Sequence, residues 1–196
     1  TRSPPTHTLA PLPIRLQWEQ QLKGHELVFL QCHRVGKVPL LPGTCYIEMA
    51  RNMAIKVHKT SAFTLASAVF KAIIFLDVTD LERGPSVRLH LHRGSGDVTI
   101  SSRSEASAWD TNATMTLQLR SSSASSSIDA VAIQASAPDS VSAHQFYAAT
   151  ANDYRGEFRS MTDAWGGSDG NSLAHIAYAR LSTRQVHLRT CAWLDA

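Results

Sequence analysis

Between residues 62 and 120 the hydrophobic positions fall on every second residue, the pattern of strands with one buried face. In VRLHLHR, Val87, Leu89 and Leu91 share one side while Arg88, His90 and His92 share the other. GSGD at 94–97 predicts a turn, and VTISS after it predicts the returning strand of a hairpin. ATMTLQL alternates again through Ala113, Met115, Leu117 and Leu119. Ahead of this meander the period is helical. Tyr46, Ala50, Met53 and Val57 fall on one face with Met49 and Ala54 beside them, which predicts a helix after Gly43. Thr44 is its expected N-cap, and Glu48 is expected in the first turn, at the positive end of the dipole. Lys56, His58 and Lys59 close the negative end. IRLQWEQQL and HELVFLQ predict two short strands around a Lys23-Gly24 turn. One helix followed by an antiparallel meander makes the fold class α+β.

The remaining segments change the picture at the flanks. TRSPPTHTLAPLP (1–13) is proline-rich and reads as an entry linker. RSSSASSSIDA (120–130) is too polar to bury and reads as an exposed linker. Beyond it, SAHQFYAATA (142–151) predicts a helix, SLAHIAYARL (172–181) a strand for part of its length, and TCAWLDA the start of another helix. This is a second, incomplete strand-and-helix layout without sequence repetition.

Composition excludes more than it assigns. The 196 residues are 43% hydrophobic and 18% charged, which suits one globular domain or two small ones packed together. No apolar run approaches the roughly 18 residues of a membrane span, so no membrane partner is expected. The formal charge of +3 is spread over scattered Lys and Arg, which argues against nucleic acid. Cys32, Cys45 and Cys191 are odd in number and lack metal-ligand spacing, as expected of a reducing, cytoplasmic compartment. The chain opens on Thr1 with no initiator Met and no leader, and reads as a segment of a longer polypeptide. His90 and His92 share a strand face, but with no third ligand in sight a solvated face is expected rather than a metal site. Trp18, Trp109, Trp165 and Trp193 are expected in the core.

The candidate chemistry lies in HRVGKVPLLPGTCYIEMA (33–50). His33 follows an apolar segment, Gly36 lets the backbone turn closely, and Pro42-Gly43 redirects the chain into a helix whose first amides can face an anion. This stretch resembles the histidine signature of dehydratase domains in modular polyketide synthases and related fatty acid synthases. That signature is a His, a Gly four residues on, a Pro five further, and Pro-Gly before a helix ending in EMA or ELA. The flanks are similar too: PLPIRLQWEQQL to the family's first strands, ISSRSEASAW to its Ser-Arg strand and following Trp109. FYAATANDYRGEFRSMTDAW resembles the tyrosine-rich region opening the second half, and CAWLDA the segment bearing an Asp. The likeness covers nearly the whole chain.

The resemblance implies a double hot-dog, two curved antiparallel sheets each wrapped around a helix, with the second truncated at the C-terminus. Its parts would be 1–120, a serine-rich linker at 121–141, and 142–196. It implies that His33 is a general base and Asp195 a general acid, both facing a tunnel at the junction. Gly36, Lys37, Pro42 and Gly43, with Tyr154 and Gly156 from the second half, would form the substrate and oxyanion surroundings. The implied reaction removes water from a β-hydroxyacyl thioester held on the phosphopantetheine arm of an acyl carrier protein, with no cofactor in the domain itself. Histidine, with an ordinary pKa of about 6.5, suits the base. An aspartic acid must be held protonated, from about 3.9 to near 7, a bias of roughly 4 kcal/mol that burial can supply. Partners would be the carrier protein and neighbouring megasynthase domains, with a homodimer allowed. Lys37 stands where the signature has Gly, Glu157 where a Pro is usual, and Thr190-Cys191 where His-Pro is common. If position 37 requires a positive φ, Lys there is strained by about 1 kcal/mol. The alternatives are a product-template-like cyclisation domain and a catalytically silent docking module.

Overall fold

The computed structural model describes residues 15–104, 107–120, 129–137, 139–150, 152–166 and 172–176. The proline-rich start, most of the serine run, and His187, Thr190, Cys191, Trp193 and Asp195 lie outside the described residues.

The alternating segments form one five-stranded antiparallel sheet. Its strands are β1 (Arg15–Gln21), β4 (Phe63–Phe70), β5 (Ser86–His92), β6 (Asp97–Arg103) and β7 (Asp110–Leu119), in the spatial order β1-β5-β6-β7-β4. GSGD is the β5–β6 turn, and His92 pairs with Asp97 across it. Period 2 puts Val87, Leu89, Leu91, Val98, Ile100, Ala113, Met115 and Leu117 on the buried face. Leu119, at the end of β7, is instead 54% exposed. Against this face lies the helix Gly43–His58, which buries Tyr46, Met49, Ala50, Met53 and Ala54 in the same apolar cluster. A sheet closed over a helix in this way is the expected hot-dog unit.

Three local expectations are corrected. HELVFLQ is not a strand: the helix α1 (Gly24–Leu30) occupies it. Seven residues are too few for periodicity to separate helix from strand, so burial decides. Leu27 and Leu30, three apart, enter the core, while Val28 faces outward. The turn after α1 is anchored by Gln31, whose amide donates to the Leu76 and Val78 carbonyls at 2.7 and 3.0 Å. Thr44 does not cap the long helix, α2 (Gly43–His58), either. Pro42 holds the N-cap position with no side-chain cap bond, and with its extended ψ the helix starts two residues sooner. Glu48 consequently lies past the first turn and pairs with Arg51 at 3.0 Å. Lys56 and His58 do close the last turn, and Lys59 follows in the left-handed region at φ 52°. Finally, Trp109 is not a core residue. It lies half-buried beneath the guanidinium groups of Arg88 and Arg103, 3.6 and 4.7 Å from its ring centre, and Glu19 bridges both arginines. Trp18 packs partly buried against the core, and Trp165 meets His175 edge-on, so neither is fully buried.

One core group makes a prediction of its own. Tyr46 is 3% exposed, and its hydroxyl approaches the Ile74 backbone without reaching hydrogen-bond geometry. Burial pushes its phenol up to about 12. The folded state therefore holds this proton more tightly than the unfolded chain. The linked stability is complete below about pH 10 and is lost as pH rises from there towards 12. Tyr46→Phe removes an unpartnered buried hydroxyl, so it should be neutral or stabilising at pH 7 and should flatten the decline in urea-melt stability between pH 10 and 12.

Inside the span read as a linker lies α3 (Ala130–Ser136), capped by the Asp129 side chain. A three-stranded antiparallel sheet follows, ordered β10-β9-β8 from β8 (Asp139–Ser142), β9 (Met161–Gly166) and β10 (Ser172–Ile176). The helix expected from SAHQFYAATA is α4 (Ala143–Ala149), with a capping box between Ser142 and Gln145. Among the described residues no helix is long and apolar enough to cross a membrane.

Candidate functional site

His33 is held by a clasp that begins where α1 ends. Its amide donates to the Leu30 carbonyl at 3.0 Å, winding the chain out of the helix. The chain then forms a small hairpin of β2 (Arg34–Val35) and β3 (Val38–Pro39), with Gly36 and Lys37 as its two-residue turn. Gly36 has φ +57°, and Lys37 is not among the residues of positive φ. A hairpin with its left-handed residue first takes glycine at that first position. The condition for strain at Lys37 is therefore not met, because the positive-φ position falls one residue earlier. The ends of the hairpin are clasped twice. Leu40 N–H donates to the His33 carbonyl, and His33 Nδ1 lies 3.0 Å from the Leu40 carbonyl oxygen. A carbonyl can only accept, so Nδ1 carries the hydrogen and Nε2 of the neutral ring keeps its lone pair.

Pro42 is buried, and Leu41 N–H donates to the Ile74 carbonyl, which fixes the passage into α2. Gly43 is exposed, and a Cβ there would meet only the Phe70 ring at an ordinary 3.7 Å. Its role is in opening the helix, not in avoiding a clash.

The second half meets the first at this histidine. Gly36 forms a parallel bridge with Asn152, Asp153 N–H donates to the Gly36 carbonyl at 3.2 Å, and Arg155 N–H donates to the Cys32 carbonyl at 3.0 Å. The imidazole sits between Tyr154 and Phe158, each with ring centres 5.3 Å away. Phe158 also packs on Phe29 of α1 at 5.1 Å. Asn152 donates to the Tyr154 hydroxyl at 2.9 Å, so that hydroxyl's own proton remains available. Gly156 has φ +50° and lies against Cys32, with Sγ 3.6 Å from the place of a Cβ. The turn of the short 3-10 segment Gly156–Arg159 thus presses onto the histidine loop.

Charge reinforces the junction. Asp153 accepts from Arg155 and lies 3.7 Å from Arg34, whose guanidinium also donates to the Lys37 carbonyl. The Arg155 hydrogen bond, with Arg155, Arg34 and Arg159 charges behind it, holds the Asp153 carboxyl below the usual carboxylate range.

Of the residues expected from sequence, the structure brings His33, Gly36, Lys37, Tyr154 and Gly156 to one junction, with Pro42 and Gly43 at the start of the helix behind it. Asp195 lies outside the described residues. Sequence reasoning missed Phe158, Asn152, Asp153 and Arg34. His92 bonds to Ser95 across the β5–β6 turn, and among the described residues no three His, Cys, Asp or Glu side chains group as metal ligands. What remains is an imidazole whose Nε2 has no hydrogen-bond partner among the described residues, against an aromatic wall, a setting suited to moving a proton from carbon in a partly dry slot.

A family model of the polyketide synthase dehydratase domain matches residues 6–103. No curated protein matches the chain. Among solved structures, the dehydratase domain from the CurF module of curacin polyketide synthase superimposes with a TM-score of 0.78 at 18% identity, covering 92% of this chain and 66% of that one. Two inactive mutants of the CurK dehydratase match as well. One carries a His-to-Phe change (TM-score 0.74, 21% identity) and one an Asp-to-Asn change (TM-score 0.75, 22% identity); each match covers 88% of this chain and 63% of that one. The likeness establishes the hot-dog architecture, and the chain spans less than two thirds of the length of these structures.

Proposed function

This chain belongs to the polyketide synthase dehydratase domain family, and from that membership we propose that it removes water from a β-hydroxyacyl thioester to leave the α,β-unsaturated thioester. Nε2 of His33 takes the α-proton, the electron pair moves in to form the double bond, and the β-hydroxyl departs with a proton from Asp195. Proton return from His33 to water or to the carboxylate resets the pair. The amides of the Gly36-Lys37 turn polarise the thioester carbonyl, Pro42 and Gly43 shape the wall, and Tyr154 and Gly156 close it from the second half. The substrate rides on the phosphopantetheine of an acyl carrier protein beside neighbouring megasynthase domains in the cytoplasm, and the domain needs no cofactor of its own. Residues 1–120 are then a first unit and 142–196 part of a second, joined by 121–141, a span that contains α3 and all but the last residue of β8.

The observation that carries this reading is the tautomer of His33, fixed by Leu40, with its ring enclosed by Tyr154 and Phe158. The inactivity of a His-to-Phe and of an Asp-to-Asn mutant in the CurK relative supports the same pair of residue types. A silent docking module, one of the two alternatives open from sequence, loses the support of a strained Lys37. The test is to offer the full parent polypeptide a 3-hydroxyacyl pantetheine thioester and follow the ultraviolet absorbance of the conjugated product. Product formation is expected; a folded protein that binds the thioester and never yields enoyl product would refute dehydration.

A further inference from the structure

Two rings from the second half enclose His33, and one side chain of α4 touches the support of each. The half-buried Tyr147 turns its hydroxyl onto the segment that carries Phe158. That hydroxyl donates to the Phe158 carbonyl at 3.3 Å and accepts from the Met161 N–H at 3.2 Å. It therefore spans the exit of the 3-10 segment Gly156–Arg159, from within the segment to the first residue of β9. On its other side the Tyr147 ring meets Tyr154 edge-on, with centres 6.2 Å apart. We propose that Tyr147 is a positioning residue for His33: its hydroxyl fixes the turn after Phe158 and so keeps the aromatic wall closed on the imidazole. The reaction it serves rests on the dehydratase reading above; the positioning rests on the bonds around the hydroxyl.

The entrance of that segment is fastened to the histidine loop, where Arg155 N–H donates to the Cys32 carbonyl and Gly156 turns against Cys32 at φ +50°. Within it, Phe158 N–H donates to the Arg155 carbonyl at 3.1 Å. The Phe158 carbonyl and the amide of the buried Met161 are then the polar groups to be satisfied at the exit. A phenol donates and accepts through one oxygen, so it serves both at once. Its own element is fixed in turn: the Ser142–Gln145 capping box opens α4, which packs on β8 and β9. Phenylalanine at 147 would keep the ring, its edge contact with Tyr154 and the Arg159 guanidinium 5.0 Å from its centre. It would lose only the two hydrogen bonds. The released carbonyl and amide must then turn to each other or to water, and either shifts Phe158 against the imidazole 5.3 Å away. A base behind a loosened wall keeps its substrate contacts but holds the reacting atoms less closely, so kcat falls before KM rises.

Two readouts on the full parent polypeptide separate this role from a purely structural one. The first is the rate at which diethyl pyrocarbonate modifies His33, followed by peptide mass spectrometry, which needs no turnover. The reagent is attacked by the Nε2 lone pair, so the rate reports how tightly the wall is closed. Tyr147→Phe should raise it about fivefold, the change in opened population when one ordinary hydrogen bond is lost, with His92 as the unaffected internal standard. The second is dehydration, where Tyr147→Phe should lower kcat about tenfold and leave KM within about twofold. Phe158→Leu should reproduce both effects. Adding Tyr147→Phe to it should change either by less than about twofold, because a hydroxyl that acts through Phe158 has nothing left to position. Phe146→Leu, which alters only an edge contact 5.5 Å from the Tyr147 ring centre, should change neither. Unchanged His33 modification in Tyr147→Phe, or effects that multiply in the double variant, would overturn the proposal. If the wild type makes no enoyl product while the modification rates follow this pattern, the reaction reading fails and the positioning role stands. Turnover of the wild type with a modification rate indifferent to Tyr147 does the reverse.

Discussion

His33→Ala and His33→Asn should each lower kcat for dehydration by roughly a thousandfold, the size expected when a positioned general base is removed. KM should move far less, because the aromatic wall of Tyr154 and Phe158 remains. The two variants separate chemistry from scaffolding. In the wild type, Nδ1–H of His33 bonds to the Leu40 carbonyl and helps clasp the β2–β3 hairpin. An asparagine amide can replace that donor, whereas alanine cannot. His33→Asn should therefore melt close to the wild type, while His33→Ala should lose about 1 kcal/mol. If the asparagine variant kept its turnover to within tenfold, His33 would be a structural clasp and the base would have to be sought elsewhere. Single-turnover measurement with a deuterated α-carbon adds a second readout: the residual reaction should show a larger isotope effect on proton removal than the wild type.

The sheet was legible because its signal is local and repeated: Val87, Leu89 and Leu91 place one face at a glance, and Val98 and Ile100 answer them across the hairpin. The same holds for α2, whose 16 residues give the helical period four turns in which to show itself. The seven residues of α1 give it fewer than two, and an apolar run of that length fits either structure until Leu27 and Leu30 find the core. At the site, His33 and Gly36 stood out because a short motif fixes both the residue types and their spacing. Strain at Lys37 was left conditional because spacing does not say which of two adjacent turn residues takes the positive φ; the hairpin register does. Phe158, Asn152 and Asp153 reach His33 only through tertiary contacts between segments distant in the chain, and no local period reports these. Trp109 shows the opposite failure. Its ring is large and apolar, but Arg88 and Arg103 cover it, so hydrophobicity alone wrongly sent it inward.

Gly96→Ala should cost about 3 kcal/mol or more and lower Tm by roughly 6–12 °C, the largest stability loss expected of any single methyl group in the β5–β6 turn. Two effects act together there. Gly96 has φ +75°, a region that an L side chain enters only with strain. A Cβ would also lie 2.2 Å from the Leu117 carbonyl oxygen, which belongs to the backbone of β7 and cannot rotate away. Relief would require β7 to withdraw, and Leu117 N–H is itself bonded to the Gly96 carbonyl at 2.8 Å, so moving the strand breaks that bond. Leu117 is buried beside Met115 and Ala113, which carries the displacement into the core under α2. Gly94 supplies the control from the same turn. Its φ is not positive, and a Cβ there would meet only the His92 ring at 3.4 Å, a half-buried side chain, not backbone, that can give way. Gly94→Ala should stay within about 1 kcal/mol of the wild type. Urea melts of the pair decide the matter: equal midpoints for the two variants would mean that β7 does not approach the turn as closely as the structure places it.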